Sequence, residues 1–218
     1  MNPAISDRER IPFSMLRRFA QRPMAQERCE LCSVALAPGH RHLLEMQTRQ
    51  IVCACNGCAL RFQAVLNGRF KLVPRDARVL SSFQVSDAQW ESLALPSNLV
   101  FIFQSSRTKK LIAMYPSPAG ATESLLPLES WSALVERNPA LALIECDVEA
   151  LLVNRVGEAR DYFIAPIDTC YELVGLIRKH WRGVSGGSAV WEQIRRFFAR
   201  LKERSELARS PTQEAARA

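Results

Sequence analysis

Five cysteines fall within 30 residues: Cys29, Cys32, Cys53, Cys55 and Cys58. Cys29-Glu30-Leu31-Cys32 and Cys55-Asn56-Gly57-Cys58 are C-x2-C pairs separated by 22 residues. Each pair can wrap a tight turn that points two sulfurs at one spot. Two such turns supply the four thiolates of a tetrahedral site. No apolar secretory signal follows the charged N-terminus, so a reducing, cytoplasmic compartment is expected and a disulfide framework is disfavoured. The expectation is a structural Zn2+ site made by Cys29, Cys32, Cys55 and Cys58, with Cys53, His40 and His42 as alternative ligands. On a strand Cys53 and Cys55 share a face, which would let Cys53 stand in for Cys55. Gly39-His40-Arg41-His42 also reads as a plain polar turn.

Four thiolates bind iron as well. A rubredoxin-like electron carrier uses the same paired spacing, but its knuckles usually carry Gly after the second Cys, where Ser33 and Ala59 stand here. A helix after Cys58 is also foreign to that fold. An iron–sulfur cluster is the other iron option, with Cys53 as a fifth thiol. Colour separates them, since zinc is colourless and both forms of iron absorb visible light.

The elements that would position the thiols are short. His42–Val52 can form a hairpin, and Asn56–Leu66 reads as a helix opened by the second pair, with Gly68 at its end. A knuckle, a hairpin and a helix resemble a treble-clef zinc finger, a unit too small to fold without its metal. Beyond it the pattern predicts three strand–strand–helix units. The first pairs Phe70–Val73 with Val79–Gln84, followed by a helix over Asp87–Leu95 that Ser86 and Gln89 would cap reciprocally. The second has Leu99–Phe103, Leu111–Tyr115 and a helix over Glu129–Arg137. The third has Val148–Asn154, Tyr162–Ala165 and a helix from a candidate N-cap at Asp168 to Trp181.

The fold class predicted is α+β: a small treble-clef-like module, then a mainly antiparallel sheet with helices on one face. The expected divisions are a basic N-terminal helix (1–28, periodic over Ile11–Gln21), the metal module (29–67), the α+β domain (68–183) and a C-terminal amphipathic helix with a polar tail (184–218). That last helix should run over Ser188–Arg204, with a frayed end after it.

At 218 residues with 48% hydrophobic and 23% charged residues, the chain has the makings of a sizeable core and no stretch long and apolar enough for a bilayer. Its formal net charge of +7 is uneven. Residues 1–28 hold six Arg against three acids, and residues 178–218 hold ten Lys/Arg against four Glu, while everything between sums to −2. The metal module carries little positive charge, a poor footprint for nucleic acid, whose phosphates reward concentrated cations. A protein partner is the better expectation, with the basic ends as contacts.

Other candidates are weaker. Cys170 sits near a helix N-terminus, which can activate a thiol, but Asp168 opposes that and no His is close in sequence, so a buried structural role is expected. Cys146 is expected in the core. Tyr115–Ser124, rich in Pro, Gly and hydroxyls, reads as an irregular loop, and its Glu123 and hydroxyls could engage a ligand. Trp181–Ser188 leads into a helix N-terminus but lacks a P-loop lysine. Glu145, Asp147 and Glu149 alternate as if along one solvated strand face.

Cys29-x2-Cys32, Cys53-Ala54-Cys55-x2-Cys58, the Tyr115–Glu123 segment, Leu151-Leu152-Val153-Asn154-Arg155 and Pro166–Tyr171 followed by Trp181-Arg182-Gly183 together carry a resemblance. Over roughly residues 28–205 the chain is similar to an uncharacterised bacterial family, mainly actinobacterial, often encoded beside nickel–iron hydrogenase genes. The resemblance implies an accessory protein for assembly, maturation or electron supply of a hydrogenase, and it brings no assigned catalytic residue.

Overall fold

The computed structural model describes residues 26–63, 68–126 and 128–214. The N-terminal helix expected over Ile11–Gln21 lies outside the described residues.

Two antiparallel sheets organise the chain. The smaller has the order β2-β1-β3, from β1 (Arg41–Glu45), β2 (Ile51–Ala54) and β3 (Phe70–Leu72). β1 and β2 form the expected hairpin, with His42 opposite Cys53 and Leu44 opposite Ile51. Helix α1 (Asn56–Gln63) follows β2 directly, and Gly68 takes the left-handed φ of 57° that a Gly accepts without strain. The hairpin expected between Phe70–Val73 and Val79–Gln84 does not form. β3 pairs instead with β1, Leu43 opposite Leu72. The apolar run marks a buried strand, but an apolar run does not name its partner. Here Phe70 is buried beside the cysteines while Val73 is buried in the main core.

The larger sheet has the order β4-β9-β8-β5-β6-β7, from β4 (Arg78–Val79), β5 (Leu99–Gln104), β6 (Leu111–Ser117), β7 (Gly120–Leu125), β8 (Glu149–Asn154) and β9 (Asp161–Pro166). All its pairings are antiparallel. The helices are α2 (Asp87–Ser92), α3 (Leu128–Arg137), α4 (Ile167–His180) and α5 (Gly187–Glu214), with a 3-10 turn at Pro139–Leu143. This is the α+β class that the sequence predicts.

The apolar stretches Leu99–Phe103 of β5 and Ala150–Val153 of β8 are continuous because both faces of these central strands are covered. On one face Phe101, Phe103, Leu152 and Phe163 meet Leu173 and Ile177 of α4 and Ile194 and Phe198 of α5. The single helical layer expected from sequence is therefore only part of the picture. On the opposite face Val100, Ile102, Leu151 and Val153 meet Trp90 of α2, Leu134 of α3 and Leu141 of the 3-10 turn. The capping box of α2 forms as expected: the Gln89 amide donates to Ser86 Oγ (3.2 Å) and the Ser86 amide to Gln89 Oε1 (2.9 Å).

Tyr115–Ser124 is not an irregular loop. It is the β6–β7 hairpin, with Tyr115 opposite Thr122 and Ser117 opposite Gly120 across a tight turn. β7 is an edge strand in which Thr122 and Glu123, on opposite faces, are both exposed, and its sequence lacks the apolar signature of a covered strand. Helix α5 also continues past Arg204 to Glu214, through the helix-forming Glu206-Leu207-Ala208-Arg209. The acids Glu145, Asp147 and Glu149 share no solvated face. Only Glu149 lies in β8, and both Asp147 and Glu149 are buried. Glu149 accepts two 3.0 Å bonds from Arg78 Nη2, and Asp147 Oδ1 accepts from the Ser106 amide at 3.0 Å.

The small sheet leans on the large one by strand alternation. Leu43 of β1 points into a cluster around the cysteines, with Leu36, Ala54, Ala59 and Phe70, while the adjacent Leu44 joins the main core with Val73. Lys71 of β3 adds polar ties across the junction, donating to the Cys146 carbonyl (2.6 Å) and pairing with Glu145 (3.1 Å).

Candidate metal centre

The first cysteine pair is held by a knuckle of backbone bonds. The Ser33 amide donates to the Cys29 carbonyl (2.7 Å) and the Cys29 amide to the Val34 carbonyl (2.8 Å). Ser33 takes φ 63°, the conformation Gly favours, without being Gly. Arg28 Nη1 donates to the Ser33 carbonyl (2.9 Å) and braces the turn. The second pair straddles the start of α1, where the Cys58 amide points at Cys55 Sγ (3.4 Å) and the Ala59 amide donates to the Cys55 carbonyl (2.9 Å). Glu30 ties the first knuckle to β2, which leads into the second pair: its amide donates to the Cys53 carbonyl (2.9 Å) and its carboxylate accepts from the Cys53 amide (2.5 Å).

The result is convergence. The sulfurs of Cys29, Cys32, Cys55 and Cys58 all lie within 4.8 Å of one another, a group that can hold a metal ion. Cys32 and Cys55 are 3.7 Å apart, sulfur to sulfur. Cys29 is buried, Cys55 and Cys58 half-buried, and Cys32 exposed. All seven cysteines of the chain are free thiols.

Crowding splits the acidities of these thiols. Burial disfavours the Cys29 thiolate, but backbone amides of Cys55, Leu31 and Cys32, with the Cys32 side chain, outweigh it and lower its pKa to about 6. Cys58 is pushed up to about 12, by burial and then by the neighbouring Cys32, Cys55 and Cys29. For Cys32 the Val34 backbone favours ionisation, yet the adjoining Cys29 tips the balance upward. One thiolate forms readily and the next ones are resisted by the charge already there. A bound cation removes that resistance, which is why such a cluster takes metal with release of protons.

Cys53, His40 and His42 do not join this quartet. They form a second group whose ligand atoms also lie within 4.8 Å of one another. β2 ends at Ala54, so the strand alternation that would align Cys53 with Cys55 stops before it reaches Cys55. His42 Nδ1 lies 2.6 Å from Asp168 Oδ2, a contact between residues 126 apart in sequence. That carboxylate raises the His42 pKa against the opposing effect of burial. Asp168 is thus not the cap expected for α4. The helix starts at Ile167 after Pro166, and Asp168 in its first turn reaches over to the small sheet. Nothing local in the sequence signals this contact. A cleft of about 550 Å³ runs alongside, lined by His40, His42, Arg75, Asp168, Glu172 and Arg204 among others.

The remaining candidates are inert or self-contained. Cys170 is fully buried among the core residues of α4, and burial, then the Asp168 charge, raises its pKa well above the usual thiol value. Cys170→Ser is therefore expected to leave the number of fast-reacting thiols in the folded, metal-loaded protein unchanged, as counted with an aromatic disulfide reagent. Loss of one fast thiol would contradict its burial. Cys146, expected in the core, is half-buried in the turn before β8, with Sγ 3.6 Å from Gln104 Oε1. The Trp181–Ser188 segment closes on itself, through the Arg182 amide to the Gly186 carbonyl (3.1 Å) and Trp181 Nε1 to the Gly183 carbonyl (2.9 Å). Among the described residues, no helix is long and apolar enough to cross a membrane.

Fold and site together define an α+β protein with a cysteine-rich module that can hold a metal ion. Residues 28–205 match the family of unknown function DUF5947, and the chain belongs to that family. No curated protein and no solved structure matches the chain.

Proposed function

We propose that this chain is a non-catalytic, metal-binding accessory protein in which Cys29, Cys32, Cys55 and Cys58 hold one structural Zn2+. The observation that carries the reading is the mutual approach of these four sulfurs within 4.8 Å. Four protein ligands complete a tetrahedral zinc and leave no position for substrate, as in structural rather than catalytic sites. The knuckle, hairpin and helix around them have the order of a treble-clef-like module. Its apolar cluster is small, so zinc would contribute much of its folding energy. Free cysteines throughout suit a reducing, cytoplasmic setting. The partner is a protein, and the resemblance noted from the sequence motifs supports the assembly or maturation machinery of a nickel–iron hydrogenase as the system served.

Elemental analysis and a visible spectrum of the protein purified from its own host test this reading. The expected result is a colourless protein containing zinc, from which the one equivalent held by the quartet is lost when Cys29 and Cys58 are both replaced by Ser. Visible absorption that bleaches reversibly on reduction would replace zinc by iron and turn the protein into an electron carrier. Co-purification of the tagged protein with hydrogenase subunits or their assembly factors tests the partner, and their absence from the purified complex would remove it.

A further inference from the structure

The second ligand group has features of a site in its own right. His42 stands directly opposite Cys53 across the β1–β2 pair. His40 lies two residues earlier, its ring edge-on to that of His42 with centroids 4.8 Å apart. Both rings are forced into the same tautomer by what faces Nδ1. His40 Nδ1 lies 3.3 Å from the Ala37 carbonyl and His42 Nδ1 lies 2.6 Å from the Asp168 carboxylate, and both of these oxygens accept. Each Nδ1 therefore carries the proton and each Nε2 presents a lone pair. The side chain of His40 is only 9% exposed. Its Nε2 is buried and has no hydrogen-bond partner. A buried lone pair without a donor is costly, and native proteins rarely leave one so.

We infer that His40, His42 and Cys53 form a second metal site, separate from the cysteine quartet, for a borderline divalent ion such as Zn2+. Two imidazoles and one thiolate suit that class of ion, and three protein ligands leave the fourth position to water or another small ligand. Bonds of about 2.0–2.3 Å to a tetrahedral ion bring ligand atoms to within about 3.3–3.8 Å of one another, and one ligand atom from each of these three side chains already lies within 4.8 Å of the others. Asp168 plays the part of the outer carboxylate that orients a ligating imidazole and strengthens it as a donor. It is a positioning residue, placed there by α4. The site thereby couples the small sheet to the large one through the ion, His42 and Asp168.

Native mass spectrometry of the full chain loaded with Zn2+ reads the outcome directly. Two ions are expected for the wild type and one for His40→Gln/His42→Gln. A single ion in the wild type, or an unchanged count in the double variant, overturns the inference and leaves the quartet untouched. Asp168→Asn keeps all three ligands, and its second ion should bind about 10–100-fold more weakly while the first is unaffected. Equal affinity in that variant counts against the site. In the Co2+-substituted protein, Cys53→Ser should remove part of the thiolate-to-cobalt absorption and leave the tetrathiolate signature. An identical spectrum would show that Cys53 is no ligand.

Discussion

Cys32→Ala is expected to unfold the cysteine-rich module while the six-stranded sheet survives. The module's own apolar cluster consists of Cys29, Leu36, Leu43, Ala54, Ala59 and Phe70 with a few half-buried neighbours. Against it stands about 1–2 kcal/mol of backbone entropy for each ordered residue, a cost that so small a core does not offset. Structural zinc supplies about 10–16 kcal/mol in comparable small units, and removing one of four ligands forfeits most of it. Trypsin provides the measurement. Arg41, Arg49 and Arg61 should be cut rapidly in the variant and slowly in the metal-loaded wild type, with a resistant fragment containing β4–β9 remaining. The chelated wild type should give the same pattern. An unchanged digest in either case would mean that the thiols do not hold the module together.

The complementary change is Phe101→Ala. Phe101 is fully buried in the central strand β5, with its ring 5.6 Å from Tyr171 of α4 and 6.5 Å from Phe103. Truncating a buried Phe costs about 3–5 kcal/mol, because the transfer energy is lost and the cavity collapses only partly. For a chain of this size each 1 kcal/mol lowers the melting temperature by about 2–4 °C, so a fall of roughly 6–20 °C is expected by calorimetry. Below that transition the metal content should equal that of the wild type. A fall under about 3 °C would deny the β5 face its place in the core. Loss of metal from the folded variant would show that quartet and sheet are one cooperative unit rather than two.

Much of this structure was legible in local spacing. The C-x2-C pairs announce two turns that each aim two sulfurs inward, and such a turn depends on a handful of neighbouring residues. Ser86 and Gln89 mark a helix start through bonds that span three positions, the apolar run Leu99–Phe103 marks a central strand, and Val148–Asn154 reads as another, although the cover on both of their faces was not legible. The helix after Cys58 is equally local. Polar sequence misled where burial was one-sided: β7 is hidden in Gly120–Leu125 because an edge strand has few apolar contacts to make.

What the sequence determined alone, then, is where most segments turn, extend or coil, and that four thiols are brought within reach of one another by two such turns. The tertiary structure decided who lies beside whom. It set β3 against β1 rather than β4, since Phe70 gains burial near the cysteines and an apolar run is indifferent to its partner. It also separated Cys53 from Cys55 at the end of β2 and placed Cys53 opposite His42. The reach of Asp168 from α4 to His42 depends on how two sheets pack, and packing is a property of summed burial across the whole chain that no short stretch of residues encodes.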